Sequence, residues 1–112
     1  MSKQTYRQPV KEKPFETKIR KFLEACGCYV FKVWGGGYQQ AGVPDLIICV
    51  NGYFVAVEVK GERGKPSPLQ IHNIDHIKKA GGVGLVLYPK DFDEFKNLIL
   101  SLKVQKRNFD TN

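Results

Sequence analysis

Asn51-Gly52 stands between two apolar runs, Leu46 to Val50 and Tyr53 to Val59. Asn-Gly is the favoured two-residue turn of an antiparallel hairpin, because both residues accept the positive φ such a turn needs. The turn fixes a register as well as an element. Val50 faces Tyr53, and counting back along both strands sets Asp45 opposite Glu58. Alternation from Val50/Tyr53 makes Asp45/Glu58 a non-hydrogen-bonded pair, with Cα atoms about 4.5 Å apart. A β-bulge would shift this pairing. Lys60, two residues beyond Glu58, shares its face.

Like charges directly opposite each other destabilise a sheet. A shared proton, the Lys60 ammonium or a bound cation would relieve the repulsion. In one reading both carboxylates sit solvated at the sheet rim, with Lys60 as counter-charge. In the other they form a divalent metal site. Two carboxylates and a backbone carbonyl, such as that of Val59, suit Mg²⁺, which keeps several waters. A lysine beside such a site can orient a water or stabilise charge developing on a phosphate. Those are the parts needed to hydrolyse a phosphodiester.

The rest of the chain supplies elements around this hairpin. Phe15, Ile19, Phe22, Leu23 and Cys26 form one apolar helix face, opening at Pro14 and ending at Gly27. Cys28 to Trp34 reads as a strand, and Gly35 to Gly42 as a loop. Ser67-Pro68-Leu69-Gln70 announces a second helix through a capping box, running to about Ala80. Val83 to Tyr88 is a short buried strand. Asp91 and Glu94 form a second capping box before a helix with Phe92, Phe95, Leu98, Ile99 and Leu102 on one face. The order is α-β-β-β-α-β-α. Both faces of the hairpin are largely apolar, so helices should cover both sides. The expected fold is α/β, with a mixed, roughly four-stranded sheet.

At 112 residues, 42% of them hydrophobic, the chain suits one domain. Residues 14–102 form the core, between a basic N-terminal arm (1–13) and a basic C-terminal tail (103–112), both ordered on binding. No apolar run approaches the roughly 20 residues needed to span a bilayer, and MSKQTYRQPVKEKP lacks a signal's apolar stretch. The expectation is a soluble, cytoplasmic protein with no membrane partner. A net charge of +7 favours a polyanionic partner, most often nucleic acid. Lys18 and Arg20, in the basic N-terminal stretch, are expected to contact nucleic acid. Arg63 and Lys65 follow Lys60 closely and are the nearest phosphate contacts. Cys26, Cys28 and Cys49 read as small, buried, reduced side chains.

Pro44-Asp45 followed by Glu58-Val59-Lys60 is the PD-(D/E)xK signature of a large nuclease superfamily. Together with Gly42-Val43 and Pro66-Ser67-Pro68-Leu69-Gln70, it resembles the VRR-NUC family, from about Phe15 to Tyr88. The resemblance implies a restriction-endonuclease-like core and a metal-dependent DNA endonuclease using Mg²⁺ or Mn²⁺. It implies that Asp45 and Glu58 bind the metal and Lys60 positions the attacking water. Glu16 would contribute directly or through water, and Gln70 would orient the lysine or substrate. Glu16 also borders the buried face of the first helix, where an acid is favoured by the macrodipole in any case. Short members of the family resemble phage-type Holliday-junction resolvases and are typically homodimers. Branched DNA is therefore the expected partner, ahead of flaps or DNA ends.

Other features carry less. His72 and His76 are one turn apart, but no HExxH glutamate follows, so a zinc site is not expected. Gly35-Gly36-Gly37 lacks the GK[ST] of a phosphate loop. Trp34 and Tyr38 could stack on bases, although a core place is commoner for tryptophan. A non-catalytic nucleic-acid-binding module is the alternative from another class, and retention of Glu16, Asp45, Glu58, Lys60 and Gln70 argues against it. A protein-interaction domain explains neither the charge nor the carboxylates.

Overall fold

The computed structural model describes residues 7–34 and 41–106. Most of the expected Gly35–Gly42 loop with Tyr38, the first six residues, and the tail from Arg107 lie outside them. Helix α1 (Glu12–Ala25) precedes strands β1 (Tyr29–Lys32), β2 (Leu46–Val50) and β3 (Tyr53–Val59). Helix α2 (Pro68–Lys79), strand β4 (Val83–Leu87) and helix α3 (Phe92–Val104) follow. This is the expected order, and the four strands form one mixed sheet in the order β1-β2-β3-β4. β1/β2 and β2/β3 are antiparallel, and β3/β4 is parallel.

The hairpin register is the one set by Asn-Gly. Val50 pairs with Tyr53 and Leu46 with Val57. Asn51 and Gly52 have φ of 50° and 82°, both positive as a type I′ turn requires. Alternation then sorts the side chains. Leu46, Ile48, Val50, Val55, Val57 and Val59 point to one face and pack with α1 and α3 in a single core. Phe15 and Phe22 of α1 meet Phe92 of α3 edge to face. Each fully buried side chain of this kind contributes roughly 1.5–3 kcal/mol. On the opposite face α2 packs over β3 and β4, with Ile74 and Ile77 against Gly84.

Several local expectations are corrected. α1 opens at Glu12, two residues before the expected start, with Pro14 in its first turn. A proline is tolerated there because first-turn N–H groups have no intrahelical partner. β1 is shorter than the run from Cys28 to Trp34. Asp91 makes no side-chain cap to α3. A 3₁₀ turn over Pro89–Asp91 runs straight into the helix, so no extended residue stands at the N-cap to form a capping box. Trp34 is 66% exposed and is not a core residue. The cysteines are free thiols, but Cys26 and Cys28 are only half-buried and Cys49 is exposed, because Cys49 falls on the sheet face that α1 and α3 do not cover.

Candidate active site

Three strand ends and the first turns of two helices converge at one end of the sheet. β2/β3 pairing stops at Leu46/Val57, one pair short of Asp45 and Glu58. Asp45 instead bends out and is clipped to both neighbouring strands. Its carbonyl accepts from the Val33 N–H at 2.8 Å, and its Oδ2 accepts from the Val59 N–H at 2.8 Å. The N–H and C=O of one strand residue point the same way, so the Val59 carbonyl also faces the Asp45 side.

Glu58 is 2% exposed, which removes the solvated-rim reading for this residue. Its Oε2 accepts from Gln70 Nε2 at 2.8 Å and lies 3.3 Å from Lys60 Nζ. Its Oε1 is buried with no hydrogen-bond partner among the described residues. Burial, followed by the nearby Asp45, pushes the Glu58 pKa up to about 7, against the pull of Lys60. The chain thus holds a carboxylate in a place that favours its neutral form.

Gln70 has two roles at once. Its Oε1 accepts from the Ser67 N–H at 2.8 Å, and its backbone N–H donates to Ser67 Oγ at 3.1 Å. This capping box, with Pro68 at the first helical position, fixes the start of α2. The remaining amide N–H then points at Glu58. The cap is what orients Gln70 towards Glu58.

Glu16 is buried in the first half of α1. Lys32 Nζ at the end of β1 reaches both of its oxygens, at 2.8 and 2.6 Å. The same ammonium lies 4.9 Å from the centre of the Trp34 ring. Glu12, one turn before Glu16, links the two groups electrostatically. Its pKa is raised by burial and then by Asp45, and it also feels Lys60, Glu16 and Lys32. Glu12 and Lys32 were not singled out from sequence. The signal was there for Lys32: a lysine inside the apolar run Tyr29-Val-Phe-Lys-Val-Trp34, like Lys60 inside its own. For Glu12 the spacing of one helical turn to Glu16 was the only sign.

The start of α1 reaches the site because Gly61 has no side chain. A Cβ there would come within 2.9 Å of Glu12 N and Val10 O. Glu62 completes the clasp. Arg7 donates to both of its oxygens at 2.7 and 3.0 Å, and the Val10 N–H donates to Oε2 at 2.9 Å. The end of the arm, residues 7–11, is docked on the loop after Lys60.

Arg63 and Lys65 are exposed in that loop. Lys18 is exposed as well, on α1, with its ammonium 5.1 Å from the centre of the Phe92 ring. Arg20 is half-buried, its Nε without a hydrogen-bond partner among the described residues. His72 and His76 are exposed on α2 with ring centres 6.4 Å apart. No group of three or more His, Cys, Asp or Glu side chains able to hold a metal occurs among the described residues. The donors available to a cation are Asp45, Glu58 and the Val59 carbonyl, all hard oxygens. Such a set fits an ion that completes its shell with water or substrate, and the unpartnered Glu58 Oε1 is the position it would satisfy.

Comparison with curated proteins and with solved structures returned no match. The family model of the archaeal Holliday junction resolvase (Hjc) matches residues 7–107, a span that includes α1, the hairpin, the clasp and every residue of the site. The motif that the hairpin carries is the one on which PD-(D/E)xK-like nucleases are built, and the chain belongs to the archaeal Holliday junction resolvase family within that superfamily.

Proposed function

We propose that this protein is a Mg²⁺- or Mn²⁺-dependent endonuclease that cuts phosphodiester bonds at four-way DNA junctions, working as a homodimer. Family membership implies a resolvase-type nuclease. The single observation that supports the metal-dependent mechanism is the buried, unpartnered Glu58 Oε1 beside a second carboxylate. Leaving a buried acceptor unsatisfied costs about 1–3 kcal/mol. A cation held by Asp45, Glu58 and the Val59 carbonyl would remove that cost, and when bound it would polarise a phosphate oxygen and lower the pKa of water.

The chain's own groups do the rest. Lys60 stands beside Glu58, held to one oxygen, and positions the attacking water. Gln70 fixes the Glu58 carboxylate from the other side. Arg63 and Lys65 hold flanking phosphates, which orient the strand without reading its sequence. Glu16 acts through Lys32, whose ammonium it holds near Trp34. The order of Gly42–Asp45, Glu58–Lys60 and Pro66–Gln70 supports a closer kinship with VRR-NUC proteins within the superfamily.

The test is cleavage of four-way, flap and linear DNA with Mg²⁺, with Mn²⁺ and with chelator. The expected result is paired nicks in the junction, requiring metal and abolished in Glu58→Ala and Lys60→Ala. Binding without cutting under both metals would make the protein a non-catalytic module. Preference for flaps would overturn the junction assignment.

A further inference from the structure

Trp34 is the single tryptophan of the chain, and it is 66% exposed. An exposed apolar side chain is ordinary by itself, but this one is also held in place. Lys32, two residues back along the extended chain, is on the same side of it. Its ammonium lies 4.9 Å from the centre of the indole ring, a range at which a cation is attracted to the π face. The ammonium is itself fixed, because the buried Glu16 holds it with both oxygens at 2.8 and 2.6 Å. One face of the indole therefore rests on a buried ion pair. With so much of the residue exposed, the opposite face is left uncovered by the described residues.

The place of the ring matters as much as its mount. Trp34 follows Val33, whose N–H donates to the Asp45 carbonyl at 2.8 Å. The indole thus stands one residue from a backbone bond to a carboxylate of the candidate site. Its immediate support is charged, Lys32 and Glu16, rather than the contiguous apolar patch that marks a protein interface. Nucleobases stack on aromatic side chains for about 1–3 kcal/mol each, whatever their identity. A base inside an intact duplex is already stacked and costs a few kcal/mol to extract, least where pairing is already disturbed. The two energies nearly cancel for an intact duplex, so an indole here gains most from a base that has already left its stack.

We infer that Trp34 is a stacking platform for one unstacked nucleobase beside the phosphate that is cut, and so selects DNA distorted at that step. A phosphate met at Asp45 and Glu58 brings the base of an adjoining nucleotide to this edge, where the free face of the indole takes it. Lys32 and Glu16 are the mount that keeps the ring in position. Because stacking is indifferent to base identity, the platform reads shape and not sequence. The inference deepens the junction-cutting reading and rests on it for the cut, whereas the stacking needs only binding.

The experiment uses the full chain with four-way and linear duplex DNA, in chelator for binding and in Mg²⁺ or Mn²⁺ for cutting. Because Trp34 is the single tryptophan, tryptophan fluorescence reports its surroundings alone. Saturating junction should quench the emission strongly, and saturating linear duplex should leave it near its free value. A single abasic residue, moved one nucleotide at a time across the branch, should restore the emission at one position. Binding should weaken there about 5–150-fold. Trp34→Ala should lose the same factor on the intact junction and nothing further on that abasic junction, with unchanged far-ultraviolet circular dichroism. Trp34→Phe should recover most of the loss. Unquenched emission from a bound junction overturns the inference, as does equal quenching by linear duplex. A Trp34→Ala loss just as large on the abasic junction also overturns it, since the ring would then act only within the protein. A junction that quenches but is never cut in either metal sinks the nuclease reading and leaves the stacking. A junction cut without quenching sinks the platform alone.

Discussion

Glu58 is a residue the fold keeps at a cost. Its carboxylate is 2% exposed, faces Asp45 and leaves one oxygen without a partner among the described residues. Glu58→Gln removes the charge and keeps an acceptor for Gln70. The metal-free variant should gain about 1 kcal/mol, several degrees in thermal midpoint, while junction cleavage disappears. A melting curve without metal, set beside a cleavage assay, checks both halves. The Glu16/Lys32 pair behaves oppositely, since it is buried but satisfied. Lys32→Met should cost about 3–5 kcal/mol by leaving a lone buried carboxylate. Adding Glu16→Leu should restore most of it, as a double-mutant cycle in urea would show. Asp45, Glu58, Lys60 and Gln70 were legible in the sequence because a turn and a cap fix their spacing locally. Glu12 and Lys32 belong to elements that approach the hairpin only in the folded chain, so no local pattern tied them to it.

At the scale of elements, the cap of α2 and the clasp of the arm position the chemistry. Gln70→Glu keeps an acceptor for the Ser67 N–H, but sets a carboxylate against Glu58 in place of a donor. The helix should hold while cleavage falls about 10–100-fold, and circular dichroism with a rate measurement separates these effects. Glu62 carries the clasp. Its hydrogen bond from Arg7, helped by the Val10 N–H, lowers its pKa from an ordinary 4.5 to about 2. Its stabilising contribution is therefore fully present above pH 4.5 and is lost as pH falls towards 2. Urea midpoints measured across that window should fall for the wild type and flatten in Glu62→Gln, which is already weaker at neutral pH. The predicted Asp91 cap failed for a reason of the same scale. The motif Asp91-Phe-Asp-Glu94 fits a capping box, but Pro89 sets a tight turn that delivers a helical backbone to Phe92 without an extended N-cap residue.

At the scale of the whole molecule, charge and topology govern the encounter with DNA. With a net charge of +7, binding should weaken steeply with salt, the logarithm of affinity falling by about 0.9 per phosphate neutralised. Removing Arg63 or Lys65 should lower that slope by about 1 each, as a salt titration of junction binding would reveal. The sequence by itself determined the order of elements, the hairpin register from Val50/Tyr53 to Leu46/Val57, and the placing of Glu58 and Lys60 beside each other at the end of β3. Those depend on turn chemistry and on alternation along single strands, which are local. Only the tertiary structure decided that Lys32 reaches Glu16, that Gly61 admits the start of α1, and that α2 settles over β3 and β4. These depend on where separate elements come to rest against the sheet, and side-chain volume and burial set that across the whole chain.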